Sequence, residues 1–214
     1  MKKNKDAKKS KSFIFSSSFE RQNLTQFDSL KTYLSTFVSV PPMEWFHFVK
    51  LLGLKRVPKD SLYYRQGEKF DEIGFVVKGL LYNYYTMEDG KYLVKKFLFE
   101  GNPVTCYSDL IRGTPASFSC KALEDCLLIT LKYKDLEELY KRHACWERLG
   151  RISAEVLFAD KEKREFDFLS KDAKGLYASF VQDTPDLVNR VPQYLIAAYI
   201  GVSAVSLSRI RSEN

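Results

Sequence analysis

Two guanidinium groups and three small hydroxyls stand close together near the C-terminus: Arg209 and Arg211 with Ser203, Ser206 and Ser208. Arginine presents a flat fork of donors, and serine a short group that both donates and accepts. Such a set suits phosphate oxygens and base edges. Val205, placed among them, offers an apolar branch that fits a thymine methyl. A merely solvated helix face would carry Glu and Lys in these places.

The surrounding spacing says what holds these groups up. From Gln193 to Arg211 the chain reads as two short helices joined by a tight turn, a helix-turn-helix. Ile196, Ile200, Val202, Leu207 and Ile210 are the apolar contacts closing one helix on the other, and Ala197 is small enough to let the axes approach. Gly201 falls where a left-handed backbone is needed. Ser203 follows as N-cap of the second helix. At about 100° per residue, Leu207 and Ile210 point inward while Val205, Arg209 and Ser212 point away. Any two helices joined by Gly-x-Ser produce part of this pattern; the outward face, free of acidic residues, is what favours DNA.

The 214 residues carry a net charge of +7, with 45% hydrophobic and 14% aromatic residues, enough for real cores and compatible with a polyanionic partner. Part of the charge lies in Lys2, Lys3, Lys5, Lys8, Lys9 and Lys11, within a solvated basic tail expected over 1–20. No apolar run approaches the roughly 18 residues that span a bilayer. Ser12–Ser18 is too short and polar for a secretory core. A cytoplasmic chain without membrane contact is therefore expected. Cys106, Cys120, Cys126 and Cys145 form no C-x-x-C pair and read as buried small hydrophobes, with no metal site.

Between tail and motif the periodicity changes twice. Helical spacing runs from Leu24 to Leu51, broken at Pro41-Pro42. From Leu54 to about Leu131, short aromatic and β-branched strands alternate with Gly-bearing turns, as in a β-barrel or sandwich. Helices return at Tyr133–Tyr140 and from about Ala144 to about Leu169. Leu149, Ile152, Val156, Ala159 and Lys163 form one stripe of the long helix. A helix of this length exceeds what one small barrel covers, so the stripe is expected to face a second subunit.

A β domain, a long helix and a C-terminal helix-turn-helix, in that order, resemble the Crp/Fnr superfamily of bacterial transcription regulators from about Phe37 onward. The landmarks are Gln66-Gly67-Glu68, Val76-Val77-Lys78-Gly79, Glu88-Asp89-Gly90, Phe99-Glu100-Gly101 and Ala122-Leu123-Glu124-Asp125. Ile196-Ala197, Gly201-Val202-Ser203 and Leu207-Ser208-Arg209-Ile210 match in the DNA-binding module. The resemblance implies an α+β chain: N-terminal helices with a jelly-roll-like β-roll over 21–143, a dimerisation helix over 144–170 and a winged-helix-type DNA-binding domain over 171–214. It implies a homodimer reading a near-palindromic duplex, with RNA polymerase as a further partner. Half-sites would lie about 34 Å apart, a spacing rule for which a member of this superfamily is a standard example.

Two departures matter. Nucleotide-binding members carry Gly-Glu and, later, Arg-Ser or Arg-Thr, which hold the ribose and the cyclic phosphate. Here the corresponding pocket residues are Gly101, Asn102, Pro103 and Val104, then Ala116 and Ser117 after Thr114-Pro115. Asparagine replaces the carboxylate, and the nearest cation, Arg112, comes too early. A buried phosphate without a cation is costly. Cyclic AMP is therefore not expected, and no other effector or cofactor is identified. In the second helix, many relatives place glutamate four residues before the arginine, to accept from cytosine. Val205 stands there instead, while Arg209 keeps its place for guanine.

Other functions fare worse. No cysteine precedes Cys106, against an N-terminal iron–sulfur cluster, and His47 and His143 read as surface or packing residues. There is neither a Gly-rich phosphate loop nor H-E-x-x-H, and Glu137, Glu138, Glu162 and Glu165 read as helical surface, so an enzyme is not expected. The alternative is a ligand-binding or interaction module whose helix-turn-helix no longer reads DNA.

Overall fold

The computed structural model describes residues 27–88 and 90–212; the basic tail at 1–20 lies outside them. Helix α1 is described over 27–35, and α2 (Pro42–Val49) begins where Pro41-Pro42 ends extended backbone.

Strands follow: β1 (Gly53–Val57), β2 (Leu62–Tyr64), β3 (Glu72–Lys78), β4 (Leu81–Thr86), β5 (Tyr92–Leu98), the two-residue β6 (Pro103–Val104), β7 (Ser119–Ala122) and β8 (Cys126–Lys132). A short helix α3 (Tyr107–Arg112) separates β6 from β7. The strands form two antiparallel four-stranded sheets, ordered β1-β8-β3-β6 and β2-β7-β4-β5. Alternation turns Tyr64, Val76, Leu81, Leu98, Cys120 and Leu128 into the space between the sheets. The β3–β4 turn requires Gly79: its φ is +105°, and an added Cβ would lie 2.6 Å from Cys126 Sγ.

Each sheet also has a covered outer face. On the first, Phe75, Ile129 and Leu131 pack with Leu30, Leu34, Trp146 and Leu149. Buried Glu44 accepts from Trp146 Nε1 at 3.0 Å and from Arg142 Nε at 3.0 Å, tying α2 to α4 (Tyr133–Arg142) and α5 (Ala144–Ser170). The indole bond, and secondarily Arg142, hold the Glu44 carboxyl below its ordinary range against the opposing effect of desolvation. Helix α5 starts at a sharp cap, where Cys145 N–H donates to His143 Nδ1 at 3.1 Å. Its 27 residues reach about 40 Å.

The outer face of the second sheet carries the C-terminal helices. Leu80, Tyr82, Val94 and Phe97 share one core with residues of α6 (Ala173–Asp183), α7 (Gln193–Ile200) and α8 (Ala204–Ser212). Phe97, Phe180 and Tyr199 form a ring trio with centroids 5.3 to 5.9 Å apart. Among the described residues every strand precedes Tyr133, and α6, a 3₁₀ turn at Pro185–Leu187, α7 and α8 make up the C-terminal part. Among the described residues no helix is long and apolar enough to cross a membrane.

Candidate nucleic-acid interface

The turn between α7 and α8 follows the chemistry of its residues. Gly201 adopts φ 79°, ψ 25°, and the N–H groups of Gly201 and Val202 both donate to Ala197 O, satisfying a carbonyl at the end of α7. Ser203 then caps α8: its Oγ accepts from Ser206 N–H at 3.1 Å and lies 2.8 Å from Ser206 Oγ. Leu207 is fully buried in the core with Ile196, Ala197 and Ile200, and Val202 and Ile210 pack against that core half-buried.

This packing fixes which way α8 faces. Ser203, Val205, Ser206, Ser208, Arg209 and Arg211 are all exposed, with Val205 at 64%. All six expected DNA contacts are therefore open to solvent, and no acidic residue lies on α8. Ser212 instead turns its hydroxyl back to Arg209 O.

Two arginines absent from the sequence expectations hold this head against the body. Arg190 donates to both Glu124 oxygens at 2.8 and 2.9 Å and to both Glu100 oxygens at 3.0 and 3.1 Å. These bonds to two carboxylates push its pKa further up. Arg164 of α5 lies 3.6 Å from the Tyr199 ring centroid and 4.5 Å from that of Phe168, and donates to Tyr199 O at 2.7 Å. Desolvation lowers its pKa. Lys163 pairs with Asp183 on α6.

The residues expected to form an effector pocket lie in different surroundings. Val104 and Ala116 are core residues, Ser117 is exposed, and Asn102 Oδ1 accepts from Phe99 N–H at 3.3 Å. Only Gly101, Asn102 and Pro103 line a cavity, and it lies on the outer face of the first sheet. The interior is occupied by Tyr63, Tyr64 and Phe118, with Phe70 packed against them and Tyr64 OH bonded to Asn83 Oδ1 at 3.1 Å. Buried Asp109 of α3 accepts from both the N–H and the Oγ of Ser117 at 2.9 Å. A carboxylate thus already uses the donors that an anionic ligand would need, and Arg112 is exposed.

The expected dimer stripe also divides. Leu149 is buried in the chain's own core and Ile152 is packed on it, because the first sheet and α4 cover the start of α5. Farther along, Val156 and Ala159 are exposed, and the same spacing continues to Phe166, 66% exposed, beside Leu169 at 82%.

Residues 54–143 match the cyclic nucleotide-binding domain family, a stretch running from β1 to the end of α4. No curated protein sequence matches the chain. Among solved structures, FixK2 from Bradyrhizobium japonicum is 20% identical, with a TM-score of 0.67 over 76% of this chain and 83% of that one. The c-di-GMP responsive global regulator CLP of Xanthomonas campestris is 15% identical, with a TM-score of 0.65 over 81% and 91%. The Thermus thermophilus catabolite activator protein is 21% identical, with a TM-score of 0.52 over 85% of each chain. The fold is that of the Crp/Fnr regulators.

Within this Crp/Fnr fold the cysteines are buried and free. Burial pushes the Cys106 and Cys126 thiols up to about 11 and raises Cys120 well above its ordinary value, which leaves little thiolate for redox chemistry at neutral pH. No group of His, Cys, Asp or Glu suited to a metal ion occurs among the described residues. Arg164, Arg190 and Asp109 were not foreseeable from motif spacing, since their partners come together only in the folded chain.

Proposed function

We propose that this chain is a dimeric, sequence-specific DNA-binding transcription regulator, controlled otherwise than by cyclic AMP. The observation that carries the reading is the open face of α8: two arginines, hydroxyls and a valine, with no acidic residue, on a helix whose other side is sealed into the core. Arg209 takes guanine O6 and N7, Val205 meets a thymine methyl, and Arg211 with Ser203, Ser206 and Ser208 meets phosphates or neighbouring bases. Dimerisation is assigned to the exposed part of α5, at Val156, Ala159, Phe166 and Leu169, so that two heads reach successive turns of one duplex. The proposed unit boundaries are a β-roll to residue 143, the connecting helix over 144–170 and the reading head over 171–214.

The test is selection from random duplexes followed by fluorescence anisotropy on the enriched and scrambled sequences at two salt concentrations. The expected result is a near-palindromic consensus bound about a thousandfold or more tighter than scrambled DNA. Recovery of no consensus, with equal affinity for both duplexes, would overturn the assignment in favour of an interaction module.

A further inference from the structure

We infer that the Crp/Fnr body of this chain holds a small, neutral, mainly apolar molecule outside the β-roll, between the first sheet and the helices α1 and α5. A cavity of about 400 Å³ lies there, within the range usual for small-molecule sites. Leu34 of α1 and Phe37 in the turn after it form one wall, Phe75 and Ile129 of the sheet the floor, and Trp146 and Leu149 of α5 the other wall. The surface is mainly apolar, although Tyr33, Asn102, Thr105, Tyr107, Thr130 and Tyr140 also line it. Ser153 adds a hydroxyl on the α5 wall, and Lys96 and Asp160 line the cavity as an ion pair with Nζ 3.0 Å from Oδ2.

Size and charge together specify the occupant. The volume falls in the small-molecule range, and the walls are mainly apolar. Lys96 and Asp160 already neutralise each other. The pair leaves no net charge at the cavity, so a charged ligand finds no counter-charge of its own there, whereas a neutral one needs none. The ligand class is therefore an uncharged, mainly apolar aromatic or acyl compound.

The experiment is a fluorescence titration of the full chain with neutral N-phenyl-1-naphthylamine and anionic 1-anilinonaphthalene-8-sulfonate. The neutral probe is expected to saturate at one molecule per chain and the sulfonate to bind about tenfold or more weakly. Filling the cavity from either wall, by Ser153→Leu or Leu34→Trp, is expected to lower the neutral probe's affinity about tenfold with the circular dichroism spectrum unchanged. In Trp45→Phe, which leaves Trp146 as the sole tryptophan, energy transfer from Trp146 to bound probe is expected. A non-saturating signal, unchanged affinity in a folded cavity-filled variant, or no transfer from Trp146 would overturn the site. Sulfonate binding as tight as the neutral probe would overturn the ligand class. None of these readouts depends on DNA binding.

Discussion

Arg190 and Glu100, 90 residues apart in sequence, meet through two hydrogen bonds of 3.0 and 3.1 Å, joining the segment before α7 to the end of β5. Glu100 also accepts from Gly79 N–H at 2.8 Å. Burial alone would raise its carboxyl, yet the bonds from Arg190 and Gly79 hold it below the ordinary range. A double-mutant cycle on Arg190→Ala and Glu100→Gln, read by urea denaturation, is expected to give a coupling of about 1 kcal/mol. The pair is partly exposed, so the coupling should shrink in about 1 M salt. A coupling of zero at low salt would show that the contact does not hold the head.

The two arginines of α8 should fail differently when removed. Arg209→Ala is expected to cost about 1–3 kcal/mol against the preferred site and to relax specificity at one base pair. Arg211→Ala should weaken all sequences alike and reduce the salt slope by about one. Val205→Glu should shift the preferred pair toward cytosine. Anisotropy titrations on a panel of single-base variants check all three, and equal losses everywhere would contradict the assigned roles.

On α5, neighbours in one stripe should give opposite phenotypes. Leu149→Ala removes a buried side chain and is expected to lower folding stability by about 2–4 kcal/mol. Phe166→Asp alters an exposed position and should leave monomer folding near normal while weakening self-association. Sedimentation equilibrium alongside denaturation separates the two. A dimer unaffected by Phe166→Asp would move the interface elsewhere.

Glu44 gives the fold a predictable acid response. Its folded-state pKa is depressed, so the stability it adds is fully present above the ordinary carboxylate range and is lost as pH falls through the folded value. Glu44→Gln should therefore be less stable than the parent at pH 7, and the gap should close on acidification below about pH 4. Urea midpoints measured from neutral to acid pH check this; a gap constant with pH would remove Glu44 from the account.

Asp109 predicts what the β-roll refuses. Cyclic AMP is expected to show no saturable binding below about 1 mM by calorimetry. Asp109→Ala should not restore it, because removing the carboxylate adds no cation. The same change should cost about 2 kcal/mol of stability, since Asp109 is buried and bonded to Ser117. Micromolar cyclic AMP binding by the parent would show that backbone N–H groups alone suffice.

What was legible in the sequence was local. Gly201, Ser203 and Leu207 each answer a requirement set within a few residues, and the structure meets them in place. The 27-residue α5 was equally plain from its periodicity. Periodicity does not say which neighbour a stripe faces, however, and Leu149 turned inward because α4 and the first sheet lie there. The short β6 and α3 carry too few residues to show a period, although α3 supplies Asp109. Arg190 lies 66 and 90 residues from its two carboxylates, a pairing created only by folding.

The seam of Phe97, Phe180 and Tyr199 makes the reading head something other than a weight on a string. Three rings in contact cannot slide by small amounts without losing their packing, so the head has discrete seats rather than a continuous swivel. Any motion of α6 and α7 together away from β5 must break the contacts of Phe97 with both other rings, so the head is expected to move by a step rather than by a drift.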